Sequence, residues 1–161
     1  MLLSALALAS CGNEALTTAS PPAFDAAGRY SFSITLSVRR LADGYQTQLW
    51  CYGDVDLFQE GGANAALRGL VRYSRPECAG GTGLRGSVNA AGKVAFVLDG
   101  FKPYWPLDTP CPAAPGLSFS GELSTYPSLG TRLYATSTTR VSCGELGEHE
   151  FSYAFDGWRT P

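Results

Sequence analysis

The sequence predicts an all-β domain, an antiparallel up-and-down barrel of about eight strands, with a two-sheet β-sandwich as the alternative packing. Three observations point there. Apolar and hydroxyl-bearing residues alternate with period two along most of the chain, as strands that bury one face require. Glycine recurs inside the apolar rows at Gly53, Gly69, Gly86 and Gly121, with spacings of 16 and 17 residues and then about two such units. The connections between runs are short, and no segment carries a helical period with caps.

The first strand shows the pattern most plainly. Tyr30, Phe32, Ile34, Leu36 and Val38 form one apolar row, and serine or threonine stands between them. Leu67-x-Gly69-x-Val71-x-Tyr73, Leu84-x-Gly86-x-Val88, Val94-x-Phe96-x-Leu98, Leu117-x-Phe119-x-Gly121-x-Leu123 and Phe151-x-Tyr153-x-Phe155 repeat it. The run from Leu49 to Gln59 alternates less cleanly, and 132–142 is polar on both faces. The expected strands are 29–40, 46–59, 66–75, 82–90, 93–101, 116–125, 131–142 and 149–158. Glycine weakens a strand, so its repeated inward placement marks places where the sheet coils sharply. Short connections favour a meander, and eight strands suffice to close it.

Composition bounds the rest. At 161 residues there is room for one domain with a hydrophobic core, and 45% hydrophobic against 16% charged residues is too apolar for a disordered chain. A net charge of −2 leaves no excess cations to neutralise a phosphate backbone, so nucleic acid is not an expected partner. No cofactor is implied.

The chain opens on MLLSALALASC, a short apolar stretch running into a cysteine. Leu8-Ala9-Ser10-Cys11 resembles the lipobox of bacterial lipoproteins. The resemblance implies a signal segment over 1–10, cleavage before Cys11, and acylation of that residue as a membrane anchor. Several acyl chains hold a protein stably at a bilayer where one is marginal. No Lys or Arg precedes the apolar run, a departure that a longer upstream signal would account for. Residues 11–27 then read as the lipidated cysteine and a small, polar, Pro-containing tether, leaving 28–161 as a single barrel domain. Gly12, rather than Asp, follows the cysteine. By the same resemblance, that implies an exported protein of the bacterial cell envelope held at the outer membrane.

Four further cysteines, Cys51, Cys78, Cys111 and Cys143, are an even set in an exported domain and point to two disulfides. Cys51 and Cys78 flank the GGANAA turn almost symmetrically, and Cys111 and Cys143 flank YPSLG, so these are the expected pairs. None has the short Cys-x₂₋₄-Cys spacing of a zinc knuckle, and no metal site is expected.

Gly28-Arg29-Tyr30 at the start of the first strand looks like the Gly-x-Trp opening of lipocalins, with Tyr30 in place of Trp. Trp158-Arg159 at the end of the last is similar to the aromatic-plus-basic closure of such barrels. The resemblance, which extends to avidin-like barrels, implies a cup for a small hydrophobic ligand. In a meander both termini share one end, and the connections at 41–45, 76–81, 102–115 and 143–148 share the other. The longest of these holds Tyr104 and Trp105 between prolines, and Trp50 is expected nearby. These three aromatics are the candidate binding residues, as a platform or as plugs of the barrel mouth.

No catalytic set stands out. His149 is expected to be a solvated residue at a strand start, and Asp54 and Asp56 to be exposed acids on an outer face. The expected function is that of a non-enzymatic envelope lipoprotein acting through protein or surface contacts at the outward rim, where an envelope protein would be one partner. The alternative is a small hydrophobic-ligand-binding barrel, and a hydrolytic enzyme is the least favoured reading. Lipidation is directly testable. Expressed with a full signal, the protein should partition into detergent with acyl mass on Cys11, and Cys11→Ser should release it. An unmodified, soluble wild type would remove the lipobox reading.

Overall fold

Burial follows the alternation of the first strand residue by residue. In the computed structural model, which describes residues 24–62, 64–74, 78, 79, 81, 83–103 and 117–161, the side chains of Tyr30, Phe32, Ile34, Leu36 and Val38 are all buried. Ser31 and Arg39, in the opposite phase, are exposed. The strand that carries them is β1 (Gly28–Arg40), followed by β2 (Gln46–Glu60), β3 (Asn64–Tyr73), β4 (Cys78–Ala79) and β5 (Gly83–Asn89). Then come β6 (Lys93–Leu98), β7 (Lys102–Pro103), β8 (Ser118–Tyr126), β9 (Gly130–Ser142) and β10 (Glu148–Arg159).

Eight of these close into an antiparallel up-and-down barrel, in the order β1-β10-β9-β8-β6-β5-β3-β2. The decisive pairing is that of β1, which bonds to β2 from Gly28↔Leu57 to Arg39↔Gln46 and to β10 from Tyr30↔Arg159 to Arg40↔His149. Two separate sheets would leave edges there, and the barrel has none. The remaining strands, β4 and β7, pair only with each other, Cys78 opposite Pro103 and Ala79 opposite Lys102. The sequence places both in connections or strand ends, because two residues are too few to show a period. The expected run 93–101 stops at Leu98, where Asp99 and Gly100 turn.

The recurring glycines lie opposite inward residues. Gly53 faces Phe32 across the β1–β2 pair, Gly69 faces Leu57 and Leu84, Gly86 faces Leu67 and Phe96, and Gly121 faces Val94 and Ala135. A Cβ on Gly53 would strike the Arg72 carbonyl and come within 2.8 Å of Phe32 Cζ. Removing the side chain on one strand therefore makes room for a ring from the next. The rings fill that space. Phe32 stacks on Phe155 at 4.9 Å, Phe96 on Phe119 at 5.1 Å, and Phe96 meets Phe155 edge-on at 5.3 Å. Tyr73 contacts Phe32 and Phe101, and Phe101 contacts Tyr153, which continues the lattice. Each such pair adds about 0.5–1.5 kcal/mol beyond its buried area.

The chain leading into β1 closes the end of the barrel where β1 begins and β10 finishes, called the base below. Ala26 N donates to Gln59 Oε1 (2.7 Å), and Gln59 Nε2 donates to the Phe24 carbonyl (2.9 Å). Tyr30 Oη donates to the Ala26 carbonyl (3.1 Å). The Arg159 guanidinium lies 5.6 Å over the Tyr30 ring and bonds to the Asp25 carbonyl. Gly28 turns the chain between them at φ +137°, where an L side chain is strained and a Cβ would stand 3.1 Å from Arg159 Nε.

Overpacking at an inward glycine is the expected weak point. Gly53→Ala should lower the unfolding free energy by about 1–3 kcal/mol in a urea titration. Gly62→Ala, where an added Cβ meets nothing within 4 Å, should change it little. Equal effects at the two positions would contradict this account of the glycine rows.

Candidate functional site

The four connections joining β1 to β2, β3 to β5, β6 to β8 and β9 to β10 leave from the end opposite the base, here called the rim. A disulfide stiffens it. Cys51, inward on β2, bonds to Cys78 of β4 with their Cα atoms 5.6 Å apart. This is the pair expected from turn symmetry, although Cys78 lies beyond the last residue of β3 and is not its ladder partner. Cys143 is also disulfide-bonded, and Cys111, its expected partner, lies outside the described residues. So do Cys11, Tyr104 and Trp105.

Trp50 sits on the outer wall of β2, opposite Thr35, and is 47% exposed. It points away from the barrel interior and neighbours Tyr52, which shares its face and is also exposed. Tyr45 precedes β2 at the rim, with the Arg40 guanidinium 5.5 Å from its ring. Tyr52 and Tyr45 were not singled out from sequence. The signal was the blurred alternation of 49–59. Large residues occupy both phases of β2, with Trp50, Tyr52 and Phe58 outside and Leu49, Val55 and Leu57 inside, so hydropathy alone loses its period there.

His149 differs from expectation. It is only 2% exposed, inside the barrel, and its Nδ1 donates to the Gly147 carbonyl (3.1 Å). The two flanking glutamates suggest a solvated position, but the phase of Phe151, Tyr153 and Phe155, extended back two residues, turns His149 inward. The Glu150 carboxylate, on the outer wall, is held by Arg140 (3.1 Å), whose hydrogen bond does most to keep it below the usual glutamate range, and by Arg39 (2.9 Å). It is therefore engaged away from the imidazole, and among the described residues no general-base arrangement forms around His149. Asp54 and Asp56 lie on the outer face, as expected. Asp54 accepts from Ser31 Oγ (2.8 Å) and Arg29 Nη2 (3.0 Å), which lower its pKa, and Asp56 pairs with Arg72 at 2.6 Å. Among the described residues, no group of His, Cys, Asp and Glu could hold a metal ion.

Polar atoms inside the ring lattice were not foreseen either. Tyr73 Oη is buried and has no hydrogen-bond partner. Burial pushes the Tyr73 phenol well above its ordinary value and the Tyr153 phenol up to about 12. Burial also raises Tyr30, against the nearby Arg159 guanidinium.

Compared with known proteins, the chain matches no family model, no curated protein and no solved structure.

The buried phenols give stability an alkaline dependence. In the unfolded chain they ionise near the ordinary value of about 10, whereas Tyr153 folded ionises at about 12. Between those values the unfolded state sheds protons that the folded state keeps, so stability falls as pH rises through that window. Unfolding titrations from about pH 9 to about pH 12 should show the decline, and Tyr153→Phe should lessen it, with Tyr73 and Tyr30 carrying the remainder. Tyr73→Phe should raise stability at neutral pH by about 1 kcal/mol, since it removes an unsatisfied buried hydroxyl. A loss of stability instead would mean that the hydroxyl is satisfied.

Proposed function

We propose that this chain is a non-enzymatic lipoprotein of the bacterial cell envelope, anchored through Cys11, that acts through contacts at its rim. The observation that carries this reading is the ring-filled interior. Phe32, Tyr73, Phe96, Phe101, Phe119, Tyr153 and Phe155 occupy the middle of the barrel by touching one another, so large aromatics available for recognition lie outside it. Trp50 is such a group, on the strand that the Cys51–Cys78 bridge braces, and aromatics held on a rigid support carry a large share of contact energy. Tyr104 and Trp105, the other two aromatic candidates, stand between prolines in the sequence and lie outside the described residues. The Leu8–Cys11 motif and Gly12 support export and an outer-membrane anchor.

A second reading has one observation in its favour. The buried, unpartnered Tyr73 Oη is a hydrogen-bond donor that a small, mostly apolar ligand could engage from the rim side. The placement of Gly28, Tyr30 and Arg159 against one another at the base is in keeping with the lipocalin resemblance.

Site-specific photocrosslinking in intact envelopes separates the two. A photoreactive residue at 50 or 105 should give a discrete protein adduct, whereas one at Ser87, on the outer face of β5, should not. Native mass spectrometry of the purified protein that reveals a bound small molecule, lost in Tyr73→Phe, would replace the first reading by the second. Crosslinking that is equal at all three positions would leave the rim without a special role.

A further inference from the structure

The two ends of the barrel differ in chemistry as well as in connectivity. The described acids of the rim connections are partly paired, Asp43 with Arg40 (3.0 Å) and Asp99 with Arg85 (2.7 Å), while Glu145 stands in the β9–β10 connection. The base turns are Gly-Gly-Ala at 61–63, Ala-Ala-Gly at 90–92 and Pro-Ser-Leu at 127–129, without a single charge. One of these turns presents Leu129, at 64% the most exposed large apolar residue among those described.

Leu129 is the tip of a longer feature. Tyr126, at the end of β8, lies 5.6 Å from the Trp158 ring of β10. The Arg132 guanidinium of β9 stands 5.6 Å over Trp158 and 4.9 Å over Tyr134. Asp156 grips that guanidinium in two parallel bonds, Nε–Oδ1 and Nη2–Oδ2, both 2.8 Å. The result is a ladder Tyr134–Arg132–Trp158–Tyr126 that descends the outer wall to the base and ends at Leu129. Its one cation is neutralised by a bidentate carboxylate, so the ladder is amphipathic and carries no net charge. Aromatic residues with a polar edge, beside an aliphatic tip and a paired arginine, suit the headgroup boundary of a bilayer.

The chain outside the described fold says which surface is in reach. Residue 24 packs at the base, its ring 3.1 Å from where a Cβ of Gly92 would be. The stretch from Cys11 to Ala23 therefore arrives at this end, and fully extended it spans about 45 Å. An acylated Cys11 would keep the base within that distance of the membrane.

We propose that the base of the barrel is a lipid-facing surface, with Leu129, Tyr126 and Trp158 seated in the interfacial zone of the bilayer that holds the anchor. This rests on the lipoprotein reading and adds to it a defined orientation, in which the rim points away from the membrane.

The test uses the full chain, processed and purified from bacterial membranes. It is incorporated into vesicles of phosphatidylethanolamine and phosphatidylglycerol brominated high on the acyl chains. In a Trp50→Phe/Trp105→Phe background the emission of Trp158 should be strongly quenched. In a Trp105→Phe/Trp158→Phe background that of Trp50 should be nearly unaffected. Leu129→Asp, at an exposed turn that folding should tolerate, should reduce the Trp158 quenching by about twofold or more, with circular dichroism confirming the fold. Tyr126→Ser provides a second variant with the same expected direction. Equal quenching of Trp158 and Trp50, or quenching indifferent to Leu129→Asp and Tyr126→Ser, overturns the proposal. A dimer in sedimentation that Leu129→Asp dissolves would assign the face to a second copy of the chain and also overturn it. The mass of the Cys11 peptide reports on the anchor separately. Acylated protein with unquenched Trp158 loses the lipid-facing base and keeps the anchor, whereas unmodified Cys11 with quenched Trp158 does the reverse.

Discussion

A meander of strands ends in two unpaired edges unless its first and last members meet, and in this protein the meeting depends on β1. Its eleven ladder positions with β10, from Tyr30↔Arg159 to Arg40↔His149, join residues far apart in sequence, and its other edge is occupied by β2. Closure turns one face of every strand inward at once. A slip of a single residue between β1 and β10 would turn the Phe151, Tyr153 and Phe155 row outward, so register and core specify each other. The Tyr30–Arg159 stack and the Gln59 bonds to residues 24 and 26 lock the same register at the base.

The interior that closure creates is narrow, and glycine and phenylalanine share it by position. Gly53 opposite Phe32, and Gly86 opposite Phe96, let rings lie where two ordinary side chains would collide. A core built of stacked rings is rigid and apolar, which makes the hydroxyls of Tyr73 and Tyr153 costly to ionise. Among the described residues, the unpartnered Tyr73 Oη is the one aromatic hydroxyl of this interior that is buried without a partner. It is the physical basis of the ligand-cup reading, as the ring lattice is of the contact-surface reading.

The ends of the barrel divide the remaining work. The Cys51–Cys78 disulfide belongs to the rim, and uncharged turns with the Arg132-centred ladder belong to the base. Because every strand connects one end to the other, a lipid anchor at the base and a recognition surface at the rim would be coupled by a stiff wall. Ion pairs such as Arg39–Glu150–Arg140 run across that wall on its outer side, where solvent screening limits their contribution to stability.

Much of this was legible in the residues. The all-β class, the strand order, the inward phase of each row, the glycine positions and the Cys51–Cys78 bridge follow from the pleat of the backbone and from symmetry about a turn. These are local properties that a short window of sequence contains. Tertiary structure alone decided what depends on partners distant in the chain. It chose the barrel over the sandwich by joining β1 to β10, and it paired β4 with β7 despite their having no readable period. It also assembled Tyr126, Arg132, Tyr134 and Trp158 into one ladder from three strands. Alternation along a strand says which way a side chain points, but only closure of the sheet determines what it meets there.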